Sequence, residues 1–155
     1  MPASPRHSSA AAPLRTSVEF FVSDPDRSIA FYERLGFRLL RSGWGYTALE
    51  RNGARLGLQD DAYARTHEHY FTPHLDRSPR GVGVEVSVEV EDRAALEALH
   101  ADARAAGCVV RELTDRPWGA TDFRVADPDG YFVRFTTPLA DPGEAAASEA
   151  PESEG

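Results

Sequence analysis

Five places in this chain carry side chains with chemistry to offer. His67, Glu68, His69 and His74 put three imidazoles and a carboxylate within eight residues, a donor set that zinc accepts. The spacing lacks the i,i+4 pattern of a helix-borne site, so the plain reading is a solvated surface cluster. A lid that carries Tyr70 and Phe71 onto a ligand is the other. Glu85 and Arg134 are a carboxylate and a guanidinium at strand positions. As a pair they offer either a general base with an oxyanion stabiliser or an ion pair that only holds shape. Arg124 and Arg134 fall on one face of successive strands, which calls for something acidic opposite. Trp118 stands beside Gly119, a flat ring at a flexible joint, able to stack on a heteroaromatic ring or a cation. Cys108 follows Gly107 at a strand start and reads as a structural thiol.

These residues need elements to hold them, and the hydrophobic pattern supplies a set. Residues 16–22 alternate, with Val18, Phe20 and Val22 on one face and Ser17, Glu19 and Phe21 on the other, as in a half-buried strand. Asp24 is a good N-cap and Pro25 suits the first helical position. Ile29, Tyr32 and Leu35 follow at helical spacing up to Gly36, a C-terminal stop. Residues 37–41, 45–51 and 55–59 read as three short strands, turned at Gly43 and at Asn52-Gly53. Residues 60–81 show no periodicity and read as a long connecting loop with room for a helical turn.

The pattern then restarts. Val82, Val84, Val86, Val88 and Val90 alternate with polar residues. Asp92 caps a helix whose stripe is Leu96, Leu99, Ala103 and Ala106, stopped at Gly107. Strands follow at 108–112, up to Ala126, and at 131–137. The last two are joined by Asp127-Pro128-Asp129-Gly130, where Pro128 presets φ and Gly130 accepts a positive one. The chain therefore repeats strand–helix–three strands, an α+β architecture of two βαβββ modules at 17–59 and 82–137. Each helix covers the apolar face of its own sheet, which assigns Val18, Phe20, Leu56, Leu58, Val84, Val86, Val88, Val133 and Phe135 to the helix side. The opposite faces hold Glu19, Phe21, Arg55, Gln59, Glu85, Ser87, Glu89, Arg124, Phe132 and Arg134. They face solvent as an ordinary polar surface, or line a cleft if the sheets curl together.

Composition narrows the partners. The chain has 155 residues and a net charge of −8, and all 17 of its basic residues are arginine. With −5 in the tail 138–155 and +2 in the leader 1–16, −5 stays with the domain. That acidity argues against nucleic acid, which needs a basic face, and leaves room for cationic small molecules. No run of 18 apolar residues exists, so no membrane span is expected. The leader lacks the apolar stretch of a secretory signal and reads as disordered, as does the acidic tail. A single cysteine forbids an internal disulfide and fits a cytoplasmic chain.

The two similar halves, the run Phe31-Tyr32-Glu33-Arg34-Leu35-Gly36-Phe37 and the turn Asp127-Pro128-Asp129-Gly130 resemble the superfamily of glyoxalase I, bleomycin resistance proteins and extradiol dioxygenases. The resemblance covers residues 17–137. The stretch Arg116-Pro117-Trp118-Gly119 is most similar to the bleomycin resistance branch, in which a dimer sequesters a cationic glycopeptide antibiotic without chemistry. The resemblance implies a curved mixed sheet around a concave cleft, helices on the convex side, a homodimer, and aromatic stacking at the cleft. Metal enzymes of the superfamily place His or Glu at four strand positions, which fall here on Ser17, Gly57, Glu85 and Arg134. Only Glu85 ligates metal, and a guanidinium repels it. A register shift brings in Glu19 or Gln59 but does not complete a set.

The expectation is a metal-independent small-molecule binding protein without cofactor, holding an aromatic or cationic ligand, with a bleomycin-like antibiotic among the candidates. The alternative is a metal-free isomerase or lyase using Glu85 as base and Arg134 as anion stabiliser. The candidate ligand-binding set is Glu19, Phe21, Trp44, Arg55, Gln59, Glu85, Ser87, Trp118, Arg124, Phe132 and Arg134, with no catalytic and no metal-ligating residue assigned. The arginines of this set either neutralise its acids or select an anion.

Overall fold

The computed structural model describes residues 16–138, so the expected leader and tail lie outside the described residues, save for their inner ends. The first module runs β1 (Val18–Val22), α1 (Pro25–Arg34), β2 (Arg38–Gly43), β3 (Tyr46–Arg51) and β4 (Ala54–Asp60). A connecting segment holds α2 (Asp61–Thr66) and a single 3-10 turn, Thr72–His74. The second module runs β5 (Glu85–Glu89), α3 (Arg93–Ala105), β6 (Val109–Asp115), β7 (Thr121–Ala126) and β8 (Phe132–Thr136). Each module builds a four-stranded mixed sheet, in the orders β1-β4-β3-β2 and β5-β8-β7-β6. β1 lies parallel to β4 and β5 parallel to β8, and the other pairs are antiparallel.

Local chemistry starts and stops these elements as expected. The Asp24 and Asp92 carboxylates accept from the N–H groups of Arg27 at 3.0 Å and Ala95 at 2.8 Å, satisfying donors that a helix start leaves unpaired. Gly36 ends α1 at φ 81°, and the Asn52-Gly53 turn takes φ 46° and 87°, as a tight hairpin requires. The helices pack on the apolar sheet faces. Phe20, Leu56 and Leu58 share one core with Val88, Val133 and Phe135, sealed by Tyr32 and Leu35 of the first module and Leu96 and Leu99 of the second. Among the described residues no helix is long and apolar enough to cross a membrane.

Two expectations need correction. Val84 does not belong to the helix-side face of β5, and Val82 lies outside that strand. Gly83 turns at φ 87°, the Val84 N–H closes that turn onto the Gly81 carbonyl, and both valines are exposed. Alternation alone cannot tell a strand from a turn that keeps the same phase. Within residues 60–81 the helical turn that the loop had room for is α2, capped by Asp60 through the Ala62 N–H at 2.9 Å. Ala106 is exposed as the C-cap residue of α3, one residue past the helix and three past Ala103, the last of the buried stripe.

The Asp127-Pro128-Asp129-Gly130 turn joins the modules. The Asp127 carboxylate accepts from the Asp129 N–H at 3.0 Å, the Tyr131 N–H at 2.8 Å and the Tyr32 hydroxyl at 2.9 Å. Asp129 accepts from the Ser23 N–H, and the Tyr131 hydroxyl donates to the Phe21 carbonyl. Arg80 ties in the connecting segment. It forks onto Asp61 at 2.9 and 2.7 Å and donates to the carbonyls of Phe21 and Leu75.

Candidate ligand-binding site

On the second sheet the phase of the strands puts Glu85, Ser87, Arg124, Phe132 and Arg134 on the face away from the helices. Phe132 lies beside Glu85 and Ala126, and Arg134 lies between Ser87 and Arg124. The expected pair of guanidiniums on one face is therefore present, and so are the acids opposite. Arg124 Nε donates to Glu85 Oε2 at 2.5 Å and its Nη1 to Asp122 Oδ1 at 3.2 Å. Arg116 forks onto the same Asp122 at 3.0 and 2.6 Å and lies 5.9 Å from the centre of the Trp118 ring. Arg134 Nε donates to Ser87 Oγ at 3.2 Å and stands 3.5 Å from Glu85 Oε1. An unbroken line of ion pairs thus runs across the sheet from Arg134 to Arg116 and ends against the Trp118 ring.

Asp122, which sequence reasoning left out of the site, is its keystone. The side chain is 1 % exposed and is held by two guanidiniums. A buried carboxylate is tolerated only when it is paired in this way. Its hydrogen bonds raise the Arg116 guanidinium above its ordinary value. The signal was available, since Asp122 stands in phase with Arg124.

On the first sheet Glu19 and Phe21 share the corresponding face. Phe21 is buried by Ala64 and Leu75 of the connecting segment and meets the rings of His69 and Phe71 at 4.6 and 5.2 Å. A cleft of about 830 Å³ opens beside them, between β1 and the connecting segment, with Phe71, Leu75, Val82, Val84 and Tyr131 as apolar walls and Glu19, His74 and Arg77 among its polar groups. Val84 and Tyr131 immediately precede Glu85 and Phe132, so the cleft ends where the ion-paired face begins.

The remaining expected residues sit elsewhere. Gln59 is spent on structure, donating to the Gly45 carbonyl at 2.8 Å. Arg55 lines a smaller space of about 170 Å³ between β1 and β5, which Ser87 also borders. Trp44 stands on the β2–β3 turn, 88 % exposed at φ 57°. Trp118, 58 % exposed, occupies the β6–β7 turn, beside the end of the sheet where Thr121 meets Thr137. That is the end opposite to Phe132 and the cleft. One chain therefore does not gather Glu19, Trp44 and Trp118 at a single point.

The metal positions of the resembled enzymes do not fit an ion here. Gly57 has no donor, and the Tyr46 hydroxyl lies 2.6 Å from where its Cβ would be, so the ring covers that position. Arg41 lies 5.5 Å from the centre of the same ring. Glu85 is engaged by two guanidiniums. Among the described residues no three His, Cys, Asp or Glu side chains converge. The histidine cluster is dispersed: His67 stacks on Tyr63 at 3.9 Å and bonds its carbonyl, His69 packs on Phe21, and His74 lines the cleft. Cys108 donates to the Ala103 carbonyl, and burial raises its thiol above the ordinary value.

Comparison with known proteins agrees with this geometry. No curated protein matches the sequence significantly. Among solved structures, a glyoxalase/bleomycin resistance protein/dioxygenase from Nocardioides is 27 % identical, covering 88 % of this chain and 91 % of that one at a TM-score of 0.64. A bleomycin resistance determinant encoded on the transposon Tn5 is 20 % identical, with coverage of 83 % and 100 % and a TM-score of 0.61. A lactoylglutathione lyase from Agrobacterium tumefaciens is 18 % identical, with coverage of 81 % and 94 % and a TM-score of 0.59. The last two are likenesses of fold, and they pair a resistance protein with an enzyme. The sequence profile of the Glyoxalase/Bleomycin resistance protein/Dioxygenase superfamily matches residues 16–135, and the chain belongs to that superfamily.

Proposed function

We propose that this chain is a metal-independent binding protein that sequesters a small aromatic molecule on the polar face of its sheets, in a cleft completed by a second copy. The observation that carries this reading is the line of ion pairs from Arg134 to Arg116, ending against Trp118. It occupies the metal-binding face with fixed polar groups and leaves a large ring exposed at its end. A few fixed polar groups beside apolar walls are the usual make-up of a small-molecule site. The second copy is inferred from β2 and β6, the outer strands of the two sheets. Each is an edge strand that pairs on one side only, and open edges invite pairing. The fold likeness to a bleomycin resistance determinant supports sequestration and puts bleomycin among the compounds to try.

The isomerase or lyase alternative asks Glu85 to take a proton. Both of its oxygens already face guanidiniums, at 2.5 and 3.5 Å, which supports the shape-holding role. The test is a thermal-shift screen of the purified protein against bleomycin and a panel of aromatic metabolites, with light scattering on the same sample. A stabilising compound and a mass of twice 17.0 kDa are expected. A monomer that no compound stabilises would sink the reading.

A further inference from the structure

We infer that the ligand carries a carboxylate, and that Arg134 receives it. This deepens the binding reading above and rests on it. The acids that would attract a cation to the second sheet are already committed. Asp122 is buried between Arg116 and Arg124, and Glu85 lies between Arg124 and Arg134. Glu89 is exposed on the same face, and no ion pair joins it to Arg134.

Arg134 is in the opposite condition. Its Nε is anchored on Ser87 Oγ at 3.2 Å, the side chain is 29 % exposed, and neither terminal nitrogen has a hydrogen-bond partner among the described residues. A guanidinium fixed at one nitrogen and open at two presents the fork that matches a carboxylate. Its orientation is set before the ligand arrives, so less side-chain freedom is lost on binding. Phe132 lies two residues away on the same face and is half-buried. It offers an aromatic side chain to a ligand body whose acid group reaches Arg134. The site therefore fits an aromatic carboxylate better than the aromatic cation that the domain's acidity suggests. The charge that matters is that of the open groups.

The test uses three probes on one ring: 2-naphthoate, 2-naphthamide and 2-naphthylmethylammonium, titrated into the full chain by calorimetry. Naphthoate is expected to bind about tenfold more tightly than the amide, with the ammonium weakest. Arg134→Gln should bring naphthoate down to the level of the amide and leave the amide within about twofold. Arg134→Lys keeps the charge without the fork and should recover only part of the difference. Circular dichroism melts establish that both variants fold. Both variants lose the fork and differ in charge, so the fork is tested even if one of them fails to fold. An ammonium that binds as well as naphthoate overturns the inference alone, as does an Arg134→Gln effect equal on all three probes. Failure of all three to bind at millimolar concentration removes the small-molecule reading itself.

Discussion

The Tyr32 hydroxyl donates to Asp127 Oδ2 across 2.9 Å, linking residues 95 positions apart. Tyr32 is the second aromatic of the α1 run, and Asp127 opens the turn between β7 and β8. The two stretches that suggested the superfamily are therefore the two halves of one contact, which locks the first module onto the second. Both groups are buried, so neither has water to fall back on.

Tyr32→Phe removes the donor and keeps the ring in the core, where it meets Phe31 and Phe37 edge-on. The carboxylate keeps two N–H donors and loses the third. The expected loss is about 1.5–3 kcal/mol, the range for a hydrogen bond to a charged group. Urea unfolding measures it, and an unchanged midpoint would mean that the hydroxyl contributes nothing.

Asp127 also sets a pH dependence. Burial raises its carboxyl above the ordinary aspartate value, opposed by hydrogen bonds from the Tyr131 N–H, the Tyr32 hydroxyl and the Asp129 N–H. A carboxyl whose folded value exceeds its unfolded value favours folding in its protonated form. Its contribution is fully present below the unfolded value, about 4, and is lost as pH rises through the folded value. The wild type should therefore lose stability relative to Asp127→Asn over that window and run parallel to it at neutral pH. Unfolding curves of both proteins across pH 3 to about 7 report the difference. A gain with rising pH would reverse the sign.

Much of this arrangement was legible in the sequence, and what was missed has physical causes. Caps and glycines fixed the ends of α1 and α3 because those signals act locally. The period of two placed Glu85, Ser87, Arg124 and Arg134 on one face. It could not say that Gln59 turns back to the Gly45 carbonyl, since that partner lies across a hairpin. It could not place Trp44 and Trp118 relative to Glu19, since turns leave the sheet. The 60–81 segment was opaque for another reason. α2 has six residues, too few to show a period, and the segment is held by Arg80, whose partners lie on β1, on α2 and just past the 3-10 turn.

Arg80 offers a separate test of that segment. Burial alone would lower its guanidinium value, but hydrogen bonding and charge from Asp61 outweigh that and raise it. Arg80→Ala leaves Asp61 buried without its partner and should destabilise by about 3–5 kcal/mol. Replacing both residues by apolar ones of similar size, Arg80→Met with Asp61→Leu, should recover a good part of the loss. If the double variant is as unstable as the single one, the segment depends on the carbonyl contacts to Phe21 and Leu75 instead.

Protein purified without chelator should carry well under one divalent metal per chain, because the donor set is short of the four ligands a structural ion takes. Elemental analysis decides this. A full equivalent that disappears in a His67→Ala, His69→Ala double variant would move the site to the connecting segment.

Trp118 is the remaining group whose exposure calls for a partner. Its ring stands 58 % exposed with the Arg116 guanidinium 5.9 Å from its centre, and that guanidinium is already fixed by two hydrogen bonds to Asp122. The ring is thus held at one side and open at the other, as a stacking platform needs to be. Stacking on it contributes about 0.5–1.5 kcal/mol beyond the area it covers. Trp118→Ala loses that and the contact area together, so the affinity for an aromatic ligand should fall about tenfold. Trp118→Phe keeps a smaller ring and should stay within about threefold. The chain has two tryptophans, so Trp44→Phe leaves Trp118 as the sole reporter, and its emission should change as ligand is added. Silent emission with full binding would place the ligand at the Phe132 end of the sheet, beside Arg134 and the Phe21 cleft and away from this ring.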